Sequence, residues 1–247
     1  MGRLLTAIGT MLLAACADSE ASEPFTVGAA ASLRDLLEAT TDDFVAASPG
    51  SRPSFAFAAS STIARQIAAG APIDVFVSAD GALLEQAGPR VRPDEARRVF
   101  GNRLALVGRS TAPKVDKPEE LLRVGGSIAV AATSVPAGKA AREELRRLGL
   151  FESLSERLVS ADHVRAALSL VESGQADYGF VYVTDARAAK RSVTLWEADL
   201  GPASRISYLG VGVNDTNRGE RVRAYLDFFA SSPFRERARS LGFQVEP

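Results

Sequence analysis

The chain of 247 residues contains one cysteine, one histidine, one tryptophan and two methionines. A single Cys and a single His cannot make an internal disulfide, a Cys/His zinc site or an iron–sulfur cluster, each of which needs several such ligands. Surplus charge is also lacking, because 29 Lys and Arg face 30 Asp and Glu for a net −1. That balance argues against nucleic acid or an anionic membrane surface as a partner. Lysine is scarce: only Lys114, Lys117, Lys139 and Lys190 occur beside 25 arginines, and the arginines are dispersed rather than gathered into a patch. No Walker A loop and no Gly-x-Ser-x-Gly elbow is present. A Ser-His-Asp hydrolase is the enzyme alternative, but Asp162 and His163 are neighbours in sequence and face apart on a helix. What the chain does have is 46% hydrophobic residues, enough to build a core and to exclude a disordered or fibrous protein.

The first residues have the form of an address. Met1-Gly2-Arg3 precedes an apolar run, Leu4 to Ala15, and the lone cysteine, Cys16, follows Leu13-Ala14-Ala15 directly. The run is too short to span a bilayer. Its end resembles the lipobox of bacterial lipoproteins, which implies a signal peptide over 1–15, cleavage before Cys16 and lipid on its sulfur. Residues 16–24 then form the lipidated cysteine and a polar tether. An ordinary signal peptide, or a buried cysteine of no special role, is the alternative.

From Phe25 onward, short runs rich in Val, Ile and Phe alternate with helical patterns, the signature of an α/β protein with parallel strands. Strands are expected at 25–29, 54–58, 74–78, 103–107, 127–131, 178–183, 193–197 and 206–213. Helices are expected at 33–47, 137–148, 162–173 and 218–230, where apolar positions recur at close to the helical period. The last strand, followed by two helices, reads as a return to the first sheet.

Four strand-to-helix turns are rich in small residues. In Gly28-Ala29-Ala30-Ala31-Ser32-Leu33-Arg34-Asp35, Ser32 is the expected N-cap of a capping-box-like start. Ser60-Ser61-Thr62 crowds three hydroxyls onto one helix start. Val135-Pro136-Ala137-Gly138-Lys139 has Pro136 suited to the first helical position, with uncovered N–H groups behind it. In Ser160-Ala161-Asp162-His163-Val164-Arg165, Asp162 is the expected cap. Each such terminus offers unpaired N–H groups and about half a positive charge, so several converging would bind an anion without a cationic side chain.

These segments also resemble a known family. Ala29-Ala30-Ala31-Ser32-Leu33, the stretch Ser60 to Asp80, Val135-Pro136-Ala137-Gly138, Val164 to Glu172, Gly101 to Val107 and Gly179 to Ala186 are similar to the molybdate-binding proteins of bacterial ABC importers. The resemblance runs from about Phe25 to the C-terminus. It implies a two-lobed (type II) periplasmic-binding-protein fold, with mixed sheets flanked by helices and two crossover strands as the hinge, near 102–107 and 204–211. Lobe I would comprise 25–103 plus 208–247, and lobe II 104–207.

Carried over by position, the molybdenum of a bound molybdate oxyanion would be surrounded by Ser32 and Ser60 through hydroxyl and N–H, by the N–H groups of Ala137 and Val164, and by the Tyr182 hydroxyl. Ser61 is the alternative to Ser60 at a register one residue away. His163 and Lys139 depart from the family pattern; His163 reads as a solvent-side residue of the first helical turn, and Lys139 lies close to the expected pocket. The resemblance implies a lipid-anchored periplasmic or cell-surface carrier, monomeric and without a cofactor. It would deliver molybdate or tungstate to a membrane permease rather than transform it, and another tetrahedral oxyanion such as sulfate is the competing cargo.

Overall fold

The computed structural model describes residues 25–199, 205–213 and 219–245. The expected signal peptide, Cys16 and tether lie outside the described residues. The chain opens with β1 (Phe25–Ala30), a turn of 3-10 helix (Ala31–Leu33), α1 (Arg34–Ala39), α2 (Thr41–Ala47) and β2 (Pro53–Ala58). It continues through α3 (Ser60–Ala68), β3 (Val75–Ser78), α4 (Ala82–Gln86) and the long β4 (Arg97–Arg109). Then follow β5 (Ile128–Ala131), α5 (Pro136–Arg147), α6 (Phe151–Leu154), β6 (Leu158–Ala161), α7 (Val164–Glu172), β7 (Tyr178–Tyr182) and α8 (Val183–Ala188). The last elements are β8 (Ser192–Glu197), β9 (Arg205–Gly212), α9 (Gly219–Phe228) and α10 (Ser232–Leu241).

Strand order is β2-β1-β3-β9-β4-β7-β5-β6, with β8 also on β4. The outer pairs, β1 with β2 and β3, and β5 with β6 and β7, are parallel, whereas β9 and β4 run antiparallel to their neighbours. Strand β4 joins the two halves. Its first part, Arg97 to Arg103, pairs with β9, and its second part pairs with β7 on one edge and β8 on the other. Strand β9 returns the chain to β3, as expected from its position before the last two helices. The result is the two-lobed periplasmic-binding fold, with β4 and β9 as the crossover strands.

Apolar residues on both faces of the strands build the core, since parallel strands are covered by helices on both sides. One cluster extends through both halves, from Phe25 and Val27 to Val130 and Phe180. A smaller one packs Ile63, Ile67 and Leu84 of α3 and α4 against Phe76 and Val211.

The local differences from expectation have physical causes. The helix expected over 33–47 is divided at Thr40, where the Thr40 and Thr41 hydroxyls each donate to a carbonyl four residues back, Leu36 and Leu37, at 2.8 Å. Such back-bonding competes with the helical ladder. Ser32 is not an N-cap; it sits inside the 3-10 turn, and its hydroxyl is engaged elsewhere. Asp162 does not cap α7 either: His163 does, through Nδ1, which accepts the Ala166 N–H at 3.1 Å. Strand β6 was not expected, because Val159 and Ser160 are exposed and leave no apolar run. Strand β4 begins at Arg97 instead of 103, since its first residues are exposed arginines whose pairing with β9 has no apolar signature.

Candidate anion-binding site

The site follows from where four short helical segments begin. The 3-10 turn, α3 and α5 start behind Ala30, Ala59 and Val135, none of which has a side-chain acceptor that could cap. Ala and Val are among the poorest N-cap residues, so the first N–H groups of these segments are left without the partner that Ser, Thr, Asp or Asn would supply. In α3 the intrahelical ladder starts with Thr62 and Ile63 bonding back to Ala59, which leaves the N–H groups of Ser60 and Ser61 outside it. In α7 it starts with Ala167 on the His163 carbonyl, which leaves those of Val164 and Arg165 outside.

The four starts surround one small cavity. Ser32, Ser60, Ala137, Val164, Tyr182 and His163 all line it, and its volume is about 20 Å³. Every site residue expected from the sequence is therefore at one place. The rest of the wall is alanine, valine and proline, with no carboxylate. A space of that size is well below the usual range of pockets that hold drug-sized ligands. Ser61 is buried but is not part of the lining. The structure thus brings Ser60, rather than its neighbour, to the cavity.

Hydrogen bonds hold two of the hydroxyls in place. Ser60 Oγ accepts the Ala79 N–H at 3.1 Å, which frees its own proton to point elsewhere. Ser32 Oγ lies 2.7 Å from the Tyr208 hydroxyl, which also receives the Asn102 side-chain amide at 3.3 Å. The Asn102 amide is itself fixed, because Oδ1 accepts the Arg103 N–H and Nδ2 donates to Thr184 Oγ1, both at 2.9 Å. Either oxygen can donate in the Ser32–Tyr208 bond; with Tyr208 as the donor, the Ser32 proton is left for the cavity. Among the described residues the buried Tyr182 hydroxyl has no hydrogen-bond partner. Burial pushes the Tyr182 and Tyr208 hydroxyls well above the ordinary tyrosine range, so both remain protonated donors.

Two close approaches hold the termini in place. A Cβ on Gly138 would lie 2.1 Å from the Ala131 carbonyl oxygen, so only glycine lets the first turn of α5 seat on the end of β5. The buried Arg142 then ties the same turn down, donating to the carbonyls of Ala131 and Gly138 at 2.8 and 2.9 Å. His163 is kept neutral by burial, which lowers its pKa, and a neutral Nδ1 is what capping α7 requires. It is partly buried at the cavity instead of on a solvent face. Lys139 is more than half exposed and reaches Asp80 at 3.9 Å.

Tyr208, Asn102 and Thr184 were missed from sequence. Nothing in their spacing marks them; Asn102 and Thr184 fall in segments similar to the family, but no role attached to either. Among the described residues no group of three His, Cys, Asp or Glu could hold a metal ion, and no helix is long and apolar enough to cross a membrane.

Comparison with known proteins agrees with this fold. Residues 25–244 match the family of bacterial extracellular solute-binding proteins. The molybdate-binding protein ModA of Haemophilus influenzae is 37% identical over 212 residues, covering 79% of this chain and 82% of that protein. That of Escherichia coli is 34% identical over 234 residues, 90% of this chain and 89% of the other. In structure, the periplasmic molybdate-binding protein of Azotobacter vinelandii superposes with a TM-score of 0.80 at 24% identity, over 90% of this chain and all of its own (100%). The chain belongs to the bacterial extracellular solute-binding proteins, and within them to the molybdate-binding protein family of ABC importers.

Proposed function

We propose that the protein captures molybdate, and tungstate equally, outside the cytoplasm and delivers it to the membrane permease of an ABC importer. The observation that carries this reading is a cavity walled by hydrogen-bond donors with no carboxylate among its lining residues. Molybdate is a tetrahedral dianion without a proton at neutral pH, so donors alone satisfy it. Phosphate retains a proton that would need an acceptor. Sulfate has the same charge and shape but shorter bonds to oxygen, so donors spaced for the larger ion would reach it at poor hydrogen-bond distances. Tungstate, of nearly the same size as molybdate, would be accepted alike.

The ligand set is Ser32, Ser60, Ala137, Val164 and Tyr182. Ser32 and Ser60 sit on one half of the sheet and the other three on the second half, so the set is complete only when the lobes, 25–103 with 208–247 and 104–207, are closed. Closure then reports occupancy to the permease. The names of the relatives support molybdate as the cargo. The carrier acts as a monomer held to the membrane by lipid on Cys16, and performs no catalysis.

The test is a thermal-shift and calorimetric titration of the chain from Ala17 with molybdate, tungstate, sulfate and phosphate. Ligand at 100 times its dissociation constant adds about 2.7 kcal/mol to stability. A response to molybdate and tungstate alone supports the reading. A response to sulfate at comparable concentration keeps the carrier and changes the cargo, and no response to any of the four overturns it.

A further inference from the structure

Beside the cavity, but outside its wall, Arg165 joins three segments that each carry an expected ligand residue. It follows Val164 on α7. Its Nη2 reaches Asp35 of α1, three residues after Ser32, at 2.5 Å. Its Nε pairs with Asp185 of α8, three residues after Tyr182, and Asp185 in turn accepts the Tyr182 N–H at 3.4 Å. Asp185 is completely buried, whereas Asp35 is 40% exposed. The two carboxylates are on opposite halves of the fold, since α1 follows β1 and α8 follows β7. A second pair has the same sense: Asp80, after β3, faces Lys139 of α5. In both, the acid is on the β1–β3 half and the cation on the β5–β7 half.

We infer that Arg165 is a positioning residue that couples anion capture to lobe closure, with Asp35 as its partner across the cleft and the Asp80–Lys139 pair as a weaker second latch. The pair with Asp185 lies within one lobe and persists when the cleft opens; it orients the guanidinium and anchors Tyr182. The pair with Asp35 forms only on closure. A partly buried guanidinium between two carboxylates keeps its charge and its direction, which a lysine would not. Because neither Asp35 nor Arg165 lines the cavity, the effect on affinity passes through the equilibrium between open and closed forms rather than through contact with the ion.

The inference rests on the proposed oxyanion site and is tested apart from it. In Asp35→Asn the molybdate dissociation constant should rise about fivefold, chiefly through faster dissociation. Asp35→Glu should recover part of the loss, and Asp80→Asn should show a smaller one. Raising salt from about 50 to about 500 mM should weaken molybdate binding to the wild type more than to Asp35→Asn, because the half-exposed pair is screened. If the wild type binds molybdate and Asp35→Asn keeps the same dissociation rate and salt dependence, the latch is wrong. If the wild type binds none of the four oxyanions, the functional reading has failed. That outcome overturns the latch as well, since the latch is stated for closure on the bound oxyanion.

Discussion

Ser32 and Tyr208 are 176 residues apart in sequence and their hydroxyl oxygens are 2.7 Å apart in the fold. The bond ties the first strand-to-helix turn to the second crossover strand, and Asn102 extends it to the first. In Tyr208→Phe, Ser32 loses the hydroxyl partner that holds it in place. Anion affinity should drop about threefold to tenfold, with a stability loss of about 1 kcal/mol for the lost buried hydrogen bond. Calorimetric titration and denaturant unfolding measure the two; an unchanged affinity would remove Tyr208 from the account of the site.

Tyr182→Phe separates ligand binding from folding. Its hydroxyl is buried and unpartnered among the described residues, so removing it should leave the ligand-free stability unchanged or raised by about 1 kcal/mol. Anion affinity should nevertheless fall about tenfold. Loss of stability together with unchanged affinity would mean that the hydroxyl serves the core.

Gly138→Ala should be costly to both. The added methyl meets main-chain oxygens of Ala131 and Ala132 at 2.1 and 2.2 Å, which cannot move without shifting β5 or α5. A loss of about 3 kcal/mol, or about 10 °C in Tm, is expected, with weaker anion binding because the Ala137 N–H moves. Ala137→Gly, which keeps that N–H, should retain affinity.

One buried group and one partly buried group give stability opposite dependences on pH. Desolvation raises the Asp185 carboxyl from 3.8 to about 6, against the attraction of Arg165. The folded form therefore holds a proton that the unfolded chain has released, and stability falls as pH rises from about 4 to about 6, by up to about 3 kcal/mol. His163 is lowered by desolvation first, with Arg34 and Arg165 adding to the effect and Asp162 opposing it. There the unfolded chain binds the extra proton, so stability falls as pH drops below 6.5. Thermal unfolding across this range should show Asp185→Asn losing the first dependence. His163→Asn, which still caps α7, should lose the second.

Much of the fold was legible because burial and periodicity are local properties. Strands β1, β2, β3, β5 and β7 lie within a residue or two of the apolar runs that marked them, and Pro136 opens α5 as its fixed φ favours. The small-residue turns were legible too, since Ala30, Ala59 and Val135 are adjacent to the donors they leave uncovered. Pairings across the fold were not legible. Tyr208, the partner of Ser32, and Asp35, the partner of Arg165 across the cleft, come from elements more than 100 residues away, and no spacing encodes them. Capping of α7 was assigned to Asp162 because carboxylates are common caps, whereas the chain enters the helix one residue later and the imidazole takes the position.

Most of the cavity wall consists of alanine, valine and proline, and its donors are largely main-chain amides at segments that begin without caps. Recognition of this kind is a property of where the helices start. Residues such as Ala137 and Val164 can exchange for others of similar size without loss of a main-chain donor, so sequence can drift at these places while the donors of the proposed site persist. A new ionic radius requires whole helices to be re-seated. The gauge is the spacing of the scaffold itself, and a change of cargo is to be sought in the packing behind the termini before it is sought in the wall.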